Sequence, residues 1–365
     1  MSSYTSKKDI NYVGDGKGYH SLDIYYPKED KESYPVIVHI YGSAWSSNNS
    51  KGNADLTTLG EGAVKAGYIF VTPNHRANND EGAQWPGLLN DIKAVVRYLR
   101  GNAESLKIDT TFIAISGFSS GGHLATMMGA SRNVKEYTVG STTVDIEGKL
   151  GQFTEFSSSV DAVCDWSGPV ILDRLNCGNA MDLNSFISPM MNNCSASQCP
   201  DIYALATAVT FMDPSDPPYI LVHGSADNIV AQCQSKLLYD ELQKNNIESK
   251  YIPTGSGHEV NKDKVPDVIE FFNAAREKKL AAMEEEQNKV SNTTSNKPSV
   301  SIKNGHLFIF GGDGSSFSFE IIDIVGKPVF QGLYNSQGQG YDLSSLAEGV
   351  YVLKTDTGFN HKFIR

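Results

Sequence analysis

The run Gly117-Phe118-Ser119-Ser120-Gly121-Gly122-His123 sets a serine among glycines, directly after the apolar stretch TFIAIS and directly before LATMMGA. A strand-like segment leads in and a helix-like segment leads out. Glycines at such a junction let the chain turn sharply and hold the serine, strained and exposed, at the start of the helix. A hydroxyl presented there can attack an ester or amide carbonyl, which is acyl-transfer chemistry. The backbone N–H of Ser120 is then expected to face the oxyanion that develops. An ordinary glycine-rich turn would share the composition but not the strand and helix on either side.

A serine attacks only if a base takes its proton, and the base works best when an acid fixes its orientation. Two later strand ends supply both, in the order serine, acid, histidine. Asp227 follows the apolar run Tyr219-Ile220-Leu221-Val222-His223-Gly224, three residues after the glycine. His258 closes Tyr251-Ile252-Pro253-Thr254-Gly255-Ser256-Gly257-His258. Taken singly, Asp227 reads as a turn acid and His258 as a solvated loop histidine; order and strand-end placement select them together. Asp173 and Asp165 are the next acids in line. Further oxyanion donors are expected from the N–H groups of Gly42 and Ser43, in Tyr41-Gly42-Ser43-Ala44-Trp45 after the strand Val36 to Ile40. Trp45 is a candidate for lining the acyl pocket. His39, His75, His123 and His223 are expected to serve packing and hydrogen bonding. They have no metal-ligand spacing, and neither a metal nor a cofactor is expected.

The elements that must position these groups alternate. Short apolar runs (PVIVHIYG, YIFVTPN, TFIAISG, DAVCDWSG, YILVHGS, SKYIPTG) are separated by amphipathic stretches such as LLNDIKAVVRYLRG, where Leu89, Ile92, Val96 and Leu99 share one helical face. Strands alternating with helices predict an α/β fold with a mostly parallel central sheet covered on both sides. YHSLDIYYP reads as an antiparallel edge strand. A helix starting near Lys264, with Val265, Ile269 and Phe272 on one stripe, gives way to polar AAMEEEQNKVSNTTSNKPS. Expected boundaries are therefore 1–280 for a catalytic domain, 281–298 for a linker and 299–365 for a small all-β sandwich, the last from the short runs HLFIF, FSFEIID, KPVFQG and GVYVLKT between Gly, Asp, Asn and Ser.

The 365 residues are 40% hydrophobic, enough for a sizeable core. The tail from 299 has five Lys/Arg against six Asp/Glu, so nearly all of the net charge of −11 lies upstream. That charge excludes phosphate backbones and anionic lipid as partners, because no basic cluster exists to release counterions. No stretch approaches the roughly 18 apolar residues of a membrane span, and MSSYTSKKDI lacks the apolar centre of a signal peptide. Of the five cysteines, Cys177, Cys194 and Cys199 fall in one Asn/Ser-rich segment, where a local disulfide would fit an oxidising compartment. Cys164 and Cys233 complete the set.

Together, LDIYYP, PVIVHIYGSAW, VTPNHR, DIKAVVRYLRGNA, GFSSGGHLA, VDAVCDWSGP and DPPYILVHGSADNIV followed by QSKLLYDEL resemble the esterase/lipase branch of the α/β-hydrolases that contains bacterial feruloyl and acetylxylan esterases, the BD-FAE-like group. The resemblance covers roughly 10–275 and implies an α/β-hydrolase fold with Ser119, Asp227 and His258 as catalytic residues and Gly42, Ser43 and Ser120 in the oxyanion hole. It also implies a small-molecule or polysaccharide ester substrate, such as acetylated or feruloylated xylan. Two residues depart from the pattern. Ala231 stands where a proline usually follows the valine of the acid loop, and Val170-Ile171 follow Pro169 where an acid is common. The tail, with FEIIDIVG, KPVFQG, YDLSSLAEGVYVLKT and the closing KFIR, resembles the C-terminal sorting domain of proteins exported by the type IX system of Bacteroidetes. That resemblance implies a secretion partner, a precursor signal peptide and a secreted or cell-surface protein.

Two other readings use the same residues. A serine peptidase of the prolyl-oligopeptidase type shares fold and triad, but is expected to carry a propeller or gating domain for which too few residues precede Tyr34. A carbohydrate-binding or adhesion protein with an inert hydrolase domain would have no physical need for all three catalytic groups.

Overall fold

Val, Ile and aromatic residues fit a pleated surface packed on both faces, and the apolar runs form strands accordingly. In chain order the first unit contains β1 (Tyr4–Asn11), β2 (Ser21–Pro27), β3 (Tyr34–Ile40), α1 (Glu61–Lys65), β4 (Ile69–Pro73), α2 (Gly87–Gly101), β5 (Ile108–Phe118) and α3 (Ser120–Ala130). It continues with the hairpin β6 (Glu136–Val139) and β7 (Thr142–Asp145), then β8 (Ala162–Trp166), α4 (Asn184–Ile187), α5 (Pro200–Leu205), β9 (Tyr219–Gly224), α6 (Cys233–Lys244), β10 (Ser249–Thr254) and the start of α7 (Val265–Ser295). This computed structural model describes residues 4–365 except 176, 179, 296–298, 304, 311–315, 336–339, 357 and 359, with side chains for all of these but 53, 287–295 and 299. Contacts divide the chain into two compact units, one reaching Lys278 and the other running from Lys279 to Arg365.

Eight strands of the first unit form one sheet in the order β1-β2-β4-β3-β5-β8-β9-β10. β1, β2 and β4 pair antiparallel, and every pairing from β4 through β3, β5, β8 and β9 to β10 is parallel. Alternate side chains leave opposite faces of each strand. Val36, Val38, Ile113, Ile115, Val163 and Leu221 join the buried face of α2 on one side, where Leu89, Ile92, Val96 and Leu99 are fully buried. Ile37, Phe70, Ala114, Trp166 and Val222 meet Ala63 and Val64 of α1 and Val265, Val268 and Phe272 of α7 on the other.

The polar stretch read as a linker continues α7 as far as Ser295, and 296–298 lie outside the described residues. Its Ala, Glu, Gln and Lys are strong helix formers, so polarity there did not mean loss of helix. The second unit places β11 (Ser299–Lys303), β12 (His306–Phe310) and β15 (Gly340–Asp342) in one antiparallel sheet. β13 (Phe317–Ile322), β14 (Pro328–Tyr334), β16 (Val350–Thr355) and β17 (Asn360–Ile364) make another, in the order β14-β13-β16-β17. Leu307, Ile309, Phe319, Ile321, Tyr341 and Leu353 form the core of this all-β region.

Two disulfides secure the segment between β8 and β9. Cys194–Cys199 is local, and Cys177–Cys233 ties the segment to the first residue of α6. Cys164 is free and buried.

The β5–α3 turn is tightly packed. A Cβ on Gly117 would stand 2.0 Å from the Gly121 carbonyl oxygen, and one on Gly121 would stand 2.2 Å from that of Ile40. Backbone atoms cannot move aside as a flexible side chain can. Gly121→Ala should therefore cost about 1–3 kcal/mol of stability and lower the melting temperature by several degrees. An unchanged thermal unfolding curve would contradict so close an approach of α3 to β3.

Candidate active site

Ser119 sits between β5 and α3 with φ 55° and ψ −123°. Non-glycine residues reach such angles only where the surroundings hold them there. Here the Ser119 N–H donates to the Trp166 carbonyl oxygen at 2.8 Å, fixing the turn to the end of β8. The parallel order of β5, β8, β9 and β10 brings their C-terminal ends to one edge, so the loops after β9 and β10 reach this serine.

Those loops carry Asp227 and His258. His258 Nε2 lies 2.9 Å from Ser119 Oγ, and His258 Nδ1 lies 2.7 Å from Asp227 Oδ2. The other carboxylate oxygen, Oδ1, accepts from the backbone N–H groups of Ile229 and Val230, each at 2.9 Å. Burial alone would push the Asp227 carboxyl upward. Hydrogen bonds from His223, His258 and Val230 outweigh burial and hold it well below the usual carboxylate range. Asp227 therefore stays ionised and requires a proton on His258 Nδ1, which leaves Nε2 free to accept from the serine hydroxyl. The Phe118 ring packs on His258 with centroids 4.8 Å apart.

The other two acids are placed differently. Asp165, at the end of β8, is fully buried; its Oδ1 accepts from the Gly168 N–H at 2.9 Å, and burial pushes its carboxyl up to about 6. Asp173 is half-exposed beside Arg174, at 3.8 Å. Neither is hydrogen-bonded to His258.

The loop after β3 passes directly over the serine. A Cβ on Gly42 would stand 2.8 Å from Ser119 Cβ and 3.0 Å from the Phe118 carbonyl oxygen, so only glycine fits. Among the described residues the N–H groups of Gly42 and Ser120 make no hydrogen bond. The Ser43 N–H, expected as a further oxyanion donor, instead donates to Ser120 Oγ at 2.9 Å. That bond joins the β3 loop to the first turn of α3.

Trp45 corrects an expectation. It is fully buried, donates from Nε1 to His123 Nδ1 at 3.2 Å and packs edge-on against that ring, so it lines no pocket. A buried indole needs a partner for its N–H, and the histidine supplies one. His123 donates in turn to the Ala206 carbonyl oxygen at 2.8 Å, and burial lowers its pKa to about 4, which keeps it neutral. Val170 and Ile171, which follow Pro169, are fully buried core residues. The sequence assigned His223 only packing and hydrogen bonding and did not single out Ser235; the two meet behind Asp227, with His223 Nδ1 2.7 Å from Ser235 Oγ. The His-Gly ending of β9 was the available signal.

A cavity of about 1000 Å³ is walled by Leu172, Arg174, Asn184, Ser188, Tyr203 and neighbouring residues; neither Ser119 nor His258 borders it. Among the described residues no cluster of three or more His, Cys, Asp or Glu is placed to hold a metal ion, and no helix is long and apolar enough to cross a membrane.

Known proteins share this arrangement of chain. A truncated carbohydrate esterase from gut microbiota superimposes with a TM-score of 0.71 at 38% identity, covering 75% of this chain and 97% of its own. A bifunctional GH43-CE protein of Bacteroides eggerthii gives 0.70 at 39%, over 74% of this chain and 35% of its own. The probable carboxylic ester hydrolase LipM of Mycobacterium tuberculosis is 26% identical over 243 residues, 66% of this chain and 52% of the relative. Esterase LipC of the same organism is 24% identical over 245 residues, 65% of this chain and 56% of the relative. The chain thus spans about half the length of the curated relatives it matches. Residues 294–364 match the secretion system C-terminal sorting domain, which marks the chain for secretion or the cell surface. Residues 22–242, carrying the Ser119 turn and the Asp227 loop, match the BD-FAE domain. The chain belongs to the BD-FAE family of the α/β-hydrolase esterases and lipases.

Proposed function

We propose that this chain is a secreted serine carboxylic-ester hydrolase that removes acyl groups, acetyl or feruloyl, from plant polysaccharide such as xylan. The reading rests on one observation: a strained serine hydrogen-bonded to a histidine that is hydrogen-bonded to a carboxylate, at 2.9 and 2.7 Å.

In this reading His258 Nε2 takes the proton of Ser119 as Oγ attacks the ester carbonyl, and Asp227 stabilises the imidazolium that forms. The N–H groups of Gly42 and Ser120 receive the oxyanion, and the Ser43-to-Ser120 bond holds the two donors at a fixed separation. His258 then returns the proton to the leaving alcohol. The acyl-enzyme formed on Ser119 is hydrolysed by water through the same cycle, and no cofactor or metal takes part. The esterase relatives support ester hydrolysis. Two similar structures described as carbohydrate esterase and GH43-CE support a carbohydrate alcohol, and the sorting domain supports work outside the cell.

Rates on 4-nitrophenyl acetate, methyl ferulate and acetylated xylan test the substrate. Release of acetate or ferulate from the second or third is expected, whereas turnover of 4-nitrophenyl acetate alone would count against a carbohydrate substrate. Ser119→Ala should stay folded and lose roughly three or more orders of magnitude in kcat. Near-normal turnover by that variant would remove Ser119 from the mechanism. Asp227→Asn should cost on the order of a thousandfold or more, because an amide can favour the wrong tautomer of His258, while Asp173→Asn should leave the rate near normal. The reverse pattern would mean that the acid has been misassigned. Because Asp227 stays ionised, protonation of His258 should switch the rate off as pH falls, giving an acid limb in kcat/KM.

A further inference from the structure

Behind the proposed triad lies a second, fully buried chain of polar groups that the mechanism does not use. His223, at the end of β9, is 1% exposed, and Ser235 on α6 and Asp165 on β8 are both at 0%. His223 Nε2 lies 3.0 Å from the Val230 carbonyl oxygen and 3.3 Å from Asp227 Oδ2, the same oxygen that accepts from His258. On the other side of the ring, Nδ1 lies 2.7 Å from Ser235 Oγ, which in turn lies 3.4 Å from Asp165 Oδ2.

Hydrogen-bond chemistry fixes the His223 Nε2 end of this chain. A carbonyl oxygen only accepts, so His223 Nε2 carries a hydrogen and points it into the acid loop. If Asp165 is protonated, it donates to Ser235, and Ser235 donates to a neutral His223. If Asp165 is ionised, Ser235 donates to it and receives from His223 Nδ1, and the ring is an imidazolium. The two forms contain the same number of protons, and in both Nε2–H faces Val230 and Asp227. Burial raises the Asp165 carboxyl to about 6. The other titratable groups around the chain are the Cys164 thiol on β8, held protonated by burial, together with Asp227 and His258. From α3 the backbone at Gly122 approaches Asp165, where an added Cβ would stand 2.2 Å from Oδ1. A ring needed only to fill space would require neither nitrogen to be matched.

We propose that His223 is a positioning residue for Asp227, fixed from behind by Ser235 and Asp165. The inference rests on reading Ser119, His258 and Asp227 as the triad. His223 and the Ile229 and Val230 N–H groups hold the carboxylate from the protein side, so that His258 approaches an oxygen already held in place. The extra donor also draws charge from Oδ2 and weakens its hold on the imidazolium, which favours the neutral base. Without it, Oδ2 pairs with His258 alone, and the histidine becomes easier to protonate.

The test is the pH profile of kcat and kcat/KM on 4-nitrophenyl acetate, with thermal unfolding, for the full chain and its His223→Phe, His223→Gln and Ser235→Ala variants. His223→Phe should lower kcat roughly tenfold with KM little changed, as loss of an outer partner does. It should also move the acid limb to higher pH by about half a unit. His223→Gln, whose amide can still donate to Val230 and Asp227, should restore most of both. Ser235→Ala should shift the limb in the same direction by less. A folded His223→Phe with an unmoved limb, or a Gln variant as impaired as Phe, overturns the inference. If His223→Phe does not fold, an unmoved limb in Ser235→Ala overturns it. A silent Asp227→Asn would take down the triad reading as well, whereas a crippling Asp227→Asn beside a silent His223→Phe would take down this inference alone.

Discussion

The left-handed backbone of Ser119 is the constraint around which the hydrolase unit is arranged. A serine at φ 55° is disfavoured in isolation and persists here because three strands and a helix close on it. Gly117 and Gly121 let α3 start within contact of β5 and β3, the Trp166 carbonyl holds the Ser119 N–H, and Gly42 presses the β3 loop onto the serine Cβ. Each of these contacts involves backbone atoms. The Ser119 Cα–Cβ bond is therefore aimed by backbone contacts, and the loops after β9 and β10 deliver an acid and a base to it.

Electrostatics sorts the two buried acids near that serine. Both lose hydration, which by itself favours the neutral carboxyl. Asp227 gains two backbone N–H donors on one oxygen and histidines on the other, and ends well below the normal range. Asp165 receives one backbone N–H and a long serine contact, too little to offset burial, and ends near 6. The carboxylate with the richer donor set is the one that meets His258.

The fold was legible because its signal is periodic: apolar runs at alternating strand spacing, a helix stripe at Leu89, Ile92, Val96 and Leu99, and a compositional change near 299. That Ser119, Asp227 and His258 come together was legible because strand-end position in a parallel sheet converts chain order into spatial proximity. What stayed hidden depends on contacts between distant residues. The Ser43 N–H is taken by Ser120 Oγ, 77 positions away, and the Trp45 N–H by His123, 78 positions away; no local pattern marks either. Cys177 and Cys233, 56 apart, meet only after the segment between β8 and β9 folds back. The polar end of α7 misled for another reason, since exposure and helix propensity are independent properties of Glu, Lys and Gln.

Covalent trapping tests the central claim most directly. The full chain would be treated with an alkyl fluorophosphonate, digested and analysed by peptide mass spectrometry, with His258→Ala treated in parallel. The account predicts one adduct, on the peptide carrying Ser119, appearing together with loss of ester hydrolysis and nearly abolished in His258→Ala. An adduct on another residue, or continued hydrolysis by protein fully modified at Ser119, would contradict it.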